Sequence, residues 1–435
     1  MRQLHYYVNM KKRVVISAIG IVTSMGDELK EVWNKVQNGE SGIIQIEDEK
    51  IRSQYCQFGG LVNYIDTKKM NIQGKNVLNR SNKLLVYSLL KALEMYKYEE
   101  GQFDDNDPIY IGNQMQYIDE SILKVILNNC ITEDGLDLSI MGSFLNKMSP
   151  LSGIKLLPTT PSHTIAKHIG AHGEGCINYT GSNSGLANLY LAYNQIASGR
   201  VDRAIVCASN SPFSSYEYYW LCNEGQIRKT KLEDDEKQLL FPFDKKHNGT
   251  IPAEGAATII LESEESALVN NREILCYIEG GSMNTFAGEN YTSLTCEGFV
   301  KTMQYACEGA DIDFKELDLV YTNANSYAEW DNVELEALLE LSKDGRISIC
   351  NSKGCLGETS VAASLFDCAL AAESLANGVY NPVVNYSECA LERKEDVSGF
   401  FEAPDKYQYA LINSASNGGN YCSVIISKNG GAAYE

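Results

Sequence analysis

The sequence predicts an α/β protein built from two similar, layered halves. Two observations carry this: strand-like runs alternate with helical stretches along the whole chain, and the alternation is run through twice. Such alternation implies mostly parallel sheets covered by helices. No long Pro- or Ser-rich linker separates the halves, so they are expected to share one body. The first half is placed at residues 11–262 and the second at 263–429.

The first half opens on RVVISAIGIVTSMGDELKEVWNKVQNG, which reads as a strand, a Gly/Ser turn and an amphipathic helix ending near Gly39. Further strands are expected at PIYIG (108–112), CINYT (176–180), RAIVCAS (203–209) and AATIILE (256–262), with helices at 82–96 and 185–198. The stretch 211–250 is Tyr-rich and irregular, and is expected to form a cap over a site. In the second half ILCYIEGGSM precedes a helix through 299–307, LDLVYTNAN one through 332–341, and RISICNS one through 360–377. YQYALINSAS and YCSVIIS close the chain as two strands.

The net charge of −20 argues against nucleic acid or an anionic membrane as the main partner. No apolar run reaches the ~18 residues of a membrane span, and the first ten residues show no signal-peptide core. A cytoplasmic protein is expected. The thirteen cysteines form no CxxC pair and have no histidine at zinc-ligand spacing, so they are expected to be buried thiols with no metal. Residues 67–93 contain no Asp or Glu but carry Lys68, Lys69, Lys75, Arg80, Lys83 and Lys91, a basic patch able to dock an acidic partner.

Active residues in layered α/β proteins gather where strands end and helices begin. Four turns fit: Thr180-Gly181-Ser182, Asn323-Ala324-Asn325, Lys353 to Glu358, and Asn413 to Gly419. Ser182 stands where a helix should start, where dipole and free N–H groups favour an anion. A nucleophilic serine also needs a base, and none of the five histidines falls in the other three turns. The helix N-cap is the simpler role for Ser182.

These turns, in this order, resemble the beta-ketoacyl-ACP synthase family, and the likeness runs from Arg13 to about Lys428. FPFDKKHNGTIPAEGAATIILE is similar to that family's PFD…DG…GEGA segment, while NSKGCLGETSVAAS and NSASNGGNYCSVII are similar to its last two loops. The resemblance implies the five-layered α/β/α/β/α duplicated thiolase fold, dimeric through the strand leading into the Ser182 turn. It also implies where the family's chemistry should sit. By the pattern T-A-C-x-S-G, the reactive cysteine falls on Ser182. The two histidines fall on Asn325 and Glu358, while the lysine of the last motif is kept as Lys353. The threonines that hold the pantetheine arm are replaced by Tyr327 and Glu329. In the gating loop the phenylalanines have become Ala415 and Asn417. Asn417, Gly418 and Gly419 remain as candidates to contact the arm.

Serine has a far higher pKa than cysteine, and without a neighbouring histidine it is rarely deprotonated at pH 7, so no condensing activity is expected. The resemblance then implies two roles. In one, the protein decarboxylates malonyl-ACP to acetyl-ACP, as in polyketide β-branching cassettes. Asn325 would hold the enolate oxygen and Glu358 would return the proton. In the other it is a non-catalytic partner of an active ketosynthase, like a chain-length factor. Both imply an acyl carrier protein that docks on Lys68, Lys69, Arg80 and Lys83. The chain would be a homodimer, or a heterodimer with an active ketosynthase. Neither implies a cofactor beyond the phosphopantetheine that the carrier brings.

Overall fold

The computed structural model describes residues 12–47, 55–66, 70, 72–114, 120–342, 347–391 and 398–430. Lys68 and Lys69 lie outside the described residues. In the first half, β1 (Val14–Val22), β2 (Ile109–Asn113), β3 (Gly175–Asn178), β4 (Arg203–Asn210) and β5 (Gly255–Ser263) lie side by side in the order β3-β2-β4-β5-β1. In the second half, β6 (Cys276–Thr285), β7 (Leu319–Tyr321), β8 (Ser348–Cys350), β9 (Tyr409–Ser416) and β10 (Asn420–Ser427) take the order β8-β7-β9-β10-β6. Counted from each half's own first strand, the two orders are the same. Even the irregularities repeat: β1 slips register against β5 between Ile16 and Ala18, and β6 slips against β10 between Ile278 and Gly280. The halves join where β1 pairs antiparallel with β6 through Val14, Val15 and Ile16.

The sheet is mixed, which corrects the expectation of mostly parallel pairing. β2 is parallel to β3 and β4, and β7 to β8 and β9. The β1–β5, β1–β6, β4–β5, β6–β10 and β9–β10 pairs are antiparallel. Connection length explains part of this. Only three residues, 417–419, join β9 to β10, and so short a link permits nothing but a hairpin, whereas parallel neighbours need a long crossover. Gly418 and Gly419 take φ of 83° and 70° in that turn, a region open to glycine at little cost.

Helices sort into layers by how much of their surface is apolar. On α1 (Leu29–Gln37), Leu29, Val32, Trp33 and Val36 form one buried stripe. α2 (Arg80–Tyr96) starts at Asn79, whose side chain accepts from Asn82 N at 2.8 Å, and packs outside β1, β4 and β5 near α3 (Thr160–Ile169). α4 (Ser184–Ala197) is buried over most of its length and touches strands of both halves. Over the cavity described below lies α5 (Ser215–Asn223). α6 (Cys296–Ala310) and α7 (Ala328–Leu341) cover the outer side of the second half. After the short α8 (Lys353–Leu356), α9 (Ala363–Asn377) joins α4 between the two half-sheets, every residue from Ala363 to Ala372 being buried. The layers are therefore α/β/α/β/α, with cores between successive layers. Matching glycines let the equivalent outer helices approach. A Cβ on Gly20 of β1 would meet the Ser88 carbonyl of α2 at 2.1 Å, and one on Gly280 of β6 would meet the Ala310 nitrogen of α6 at 2.7 Å.

The excursion 211–250 carries α5 and rests on a small core of its own, including Ile43, Phe58, Tyr218 and Leu240. All thirteen cysteines are free thiols, ten of them buried. Among the described residues no helix is long and apolar enough to cross a membrane.

Candidate functional site

Three of the four turns singled out in the sequence open directly onto one cavity of about 410 Å³, and the fourth supplies Glu358 to it. This follows from the topology: the parallel strands β2, β3 and β4, and β7, β8 and β9, present their carboxyl ends to the seam between the halves. Ser182, Asn325, Glu358, Asn417 and Gly418 line the cavity. The excursion contributes Trp220, Leu221, Glu224, Gln226 and Ile227. Among the described lining residues there is no Cys, His, Lys or Arg.

The two positions that resemble the family's histidines bond to each other. Asn325 Nδ2 donates to Glu358 Oε2 at 2.9 Å, and its Oδ1 accepts from Tyr327 N at 3.1 Å. Glu358 Oε1 accepts from Ser360 N at 2.7 Å. Lys353 does not line the cavity. It lies behind it, 3% exposed, with Nζ 3.5 Å from Glu358 Oε2 and donating to the Asn323 carbonyl at 2.6 Å. Around this pair sit more buried acids. Asp331 accepts from Asn325 N at 2.9 Å. Burial pushes the Glu334 carboxyl up to about 7 against the opposing pull of hydrogen bonds from Asn323 N and Asn413 and of the Lys353 charge. Burial likewise pushes Asp367 up to about 7, opposed first by Lys353 and then by the Ser352 hydroxyl.

Ser182 is not an N-cap. It lies in a 3₁₀ turn, Gly181–Asn183, one residue short of α4, and its hydroxyl donates across the seam to the Ala415 carbonyl at 2.8 Å. With its proton directed at a carbonyl and no histidine among the described lining residues, the hydroxyl lacks the base that usually activates a serine. Asn417 ties the last turn to the cap, its Oδ1 accepting from Gln226 Nε2 at 3.1 Å. Gly419, expected beside its neighbours at the site, does not line the cavity. Its carbonyl points back to accept from Phe286 N at 2.8 Å. Tyr327 and Glu329 are also outside the lining and bond each other, Tyr327 hydroxyl to Glu329 Oε2, at 3.0 Å.

The basic segment changes character in the fold. Arg80 Nε and Nη2 donate to the two oxygens of Glu254 at 3.0 and 2.9 Å, and Glu254 also accepts from Val62 N and the Ser211 hydroxyl. Lys91 pairs with Glu28, and Lys83 is half-buried. Arg80 therefore holds α2 to the segment just before β5, and its charge is already matched. Arg80→Ala is expected to cost about 1–2 kcal/mol, below the ~3–5 of a fully buried pair because Arg80 is 38% exposed while Glu254 is 5%. Chemical denaturation of Arg80→Ala beside the wild type checks this.

Trp220, Glu224, Tyr291 and Trp330 line the cavity but were not singled out from the sequence. Only the Tyr-rich irregularity of 211–250 pointed toward two of them.

The family profile "Beta-ketoacyl synthase, N-terminal domain" matches residues 11–267, and "Beta-ketoacyl synthase, C-terminal domain" matches 275–387. A polyketide beta-ketoacyl synthase of Streptomyces halstedii is 23% identical over 96% of this chain and 98% of its own. A 3-oxoacyl-[acyl-carrier-protein] synthase 2 of Staphylococcus aureus (strain N315) is 23% identical over 97% and 99%. Two solved structures share the fold with a TM-score of 0.81. One is a type II polyketide ketosynthase in complex with its acyl-carrier protein, 19% identical over 96% of this chain and 99% of that one. The other is the ishigamide ketosynthase/chain length factor, 18% identical over 97% and 100%.

Proposed function

The chain belongs to the beta-ketoacyl synthase family and has its thiolase fold, and from that premise we propose that it is a polyketide ketosynthase-like subunit that does not condense. Its work is to complete an assembly with an active ketosynthase that receives chains from an acyl carrier protein. The observation that carries this is the closed network where the family's catalytic groups would stand. Asn325, Glu358 and Lys353 satisfy one another, and the Ser182 proton points at the Ala415 carbonyl. Further support comes from the open end of the sheet. β3 has no neighbour on its outer edge among the described residues, and it is half-buried at most. The preceding segment leaves Leu127, Ile131, Leu136, Leu138, Leu145 and Leu157 exposed, an apolar surface of the kind that marks a protein interface. A relative of the same fold is a ketosynthase/chain length factor, and another is a ketosynthase with its carrier.

Malonyl-ACP decarboxylation is the second reading. It is favoured by one feature, the second amide hydrogen of Asn325, a residue that lines the cavity. Against it stands the Glu358 carboxylate, 2.9 Å behind the donating nitrogen. Two unit charges ~5 Å apart repel by roughly 3 kcal/mol at an effective dielectric of ~20, and Lys353, 3.5 Å from Glu358 Oε2, offsets part of that. An enolate here would be held by a single amide hydrogen with a carboxylate beside its donor.

The test is intact-mass analysis of malonyl-loaded carrier. The chain alone is expected to form neither acetyl- nor β-ketoacyl-carrier. Co-expressed with an intact ketosynthase of its own genome, it should co-purify as a 1:1 complex. That complex should condense, and Ser182→Ala should leave its rate within about twofold. Acetyl-carrier made by the chain alone, lost in Asn325→Ala and kept in Ser182→Ala, would overturn this in favour of the decarboxylase, since losing one oxyanion donor typically costs ~10²–10³ in rate.

A further inference from the structure

The cavity is unusual in what it leaves exposed. Tyr179, Trp220 and Tyr291 line it while remaining 43%, 41% and 73% accessible. Large aromatic side chains normally bury most of their surface, and a group of them held open around a recess offers flat π faces to a ligand. Glu224, the C-cap residue just after α5, lines the same cavity. Unlike Glu358, it has no hydrogen bond or ion pair to its carboxylate among the described residues. Partial burial alone pushes its pKa up, so the anion is under-solvated and without a counter-charge. The C-terminus of α5 adds its own partial negative charge at the same place. No described residue lining the cavity supplies a positive charge.

A carboxylate at a helix C-terminus and solvent-accessible aromatic rings lining one cavity supply the chemistry that recognises ammonium. We infer that the cavity takes an acyl group whose far end carries a primary ammonium, with Glu224 as its counter-ion and Tyr179, Trp220 and Tyr291 around it. Glu224 thereby sets specificity: it favours aminoacyl chains over plain alkyl chains and excludes chains ending in a carboxylate. This goes beyond the partner role proposed above. It concerns only what the cavity holds, so it survives or fails separately from complex formation with a ketosynthase.

The experiment uses the full chain and three pantetheine amides that cannot hydrolyse, with ω-aminohexanoyl, hexanoyl and ω-carboxypentanoyl groups. Binding is followed by calorimetry at neutral pH. The amino compound is expected to bind at least about tenfold more tightly than the hexanoyl compound, and the carboxylate compound more weakly than either. Glu224→Gln should bring the amino and hexanoyl affinities within about twofold of each other without shifting the melting temperature. Trp220→Ala should weaken the amino compound by roughly threefold, in line with an exposed cation–π contact. Equal affinity for all three in the wild type, no binding of any, or an amine preference that persists in Glu224→Gln would each overturn the inference.

Discussion

Lys353→Met is expected to destabilise the protein by about 3–5 kcal/mol at pH 8, the usual cost of removing one partner from a buried ion pair. Methionine fills nearly the same volume, so the loss reports charge and hydrogen bonding. The ammonium is 3% exposed, sits 3.5 Å from Glu358 and donates to the Asn323 carbonyl. Asn323 in turn fixes two neighbours: its N–H donates to Glu334 and its Oδ1 accepts from Ala415 N at 3.0 Å. Removing the lysine leaves Glu358 without its cation and also strips the charge that draws Glu334 and Asp367 down. The loss should shrink at pH 5.5, where those two buried carboxyls carry protons and need no cation. Urea midpoints at the two pH values measure this. A second substitution, Glu358→Gln, should recover a large part of the loss at pH 8. A loss under 1 kcal/mol there would mean that Lys353 is not what holds the acids together.

Stability itself is expected to fall as pH rises from about 4.5 to 7. Glu334 and Asp367 are pushed up to about 7 by burial, from ordinary values of 4.5 and 3.8. Across that window the folded chain keeps two protons that the unfolded chain has released, so raising the pH favours unfolding. Below the ordinary values both states are protonated and the contribution is fully present; above about 7 it has been lost. Each group contributes at most on the order of 3–4 kcal/mol, from ~1.4 kcal/mol per pKa unit. Glu334→Gln, which preserves shape and keeps an oxygen for the Asn323 N–H, should flatten the dependence of melting temperature on pH between 5 and 7.5. Asp367→Asn should do the same. An unchanged slope in both variants would show that neither acid is protonated in the folded state.

Much of the site was legible without coordinates because turn signals are local. The bends after CINYT, LDLVYTNAN and RISICNS could be read from where strand-like runs give way to helical ones, and the structure brings Ser182, Asn325 and Glu358 to one cavity. What those residues do once there was not legible. Ser182 sits at a helix start in sequence, yet its hydroxyl serves a carbonyl 233 residues away. Arg80 looks like one charge in a basic run, but its carboxylate partner lies 174 residues further on.

The sequence by itself determined the alternation of elements, the two-fold repeat, the four turns and the loss of cysteine and histidine from them. These depend on hydrophobic period, turn residues and residue identity, all of which act within a dozen positions. Only the tertiary structure decided the direction of most strands, the layer each helix occupies, the retreat of Lys353 and Gly419 from the cavity, and the arrival of Trp220, Glu224 and Tyr291 in its lining. The reason is physical. Whether a charge is matched or a polar group satisfied depends on what the closed chain places against it, and those partners lie tens to hundreds of residues away along the chain, beyond the reach of any local pattern.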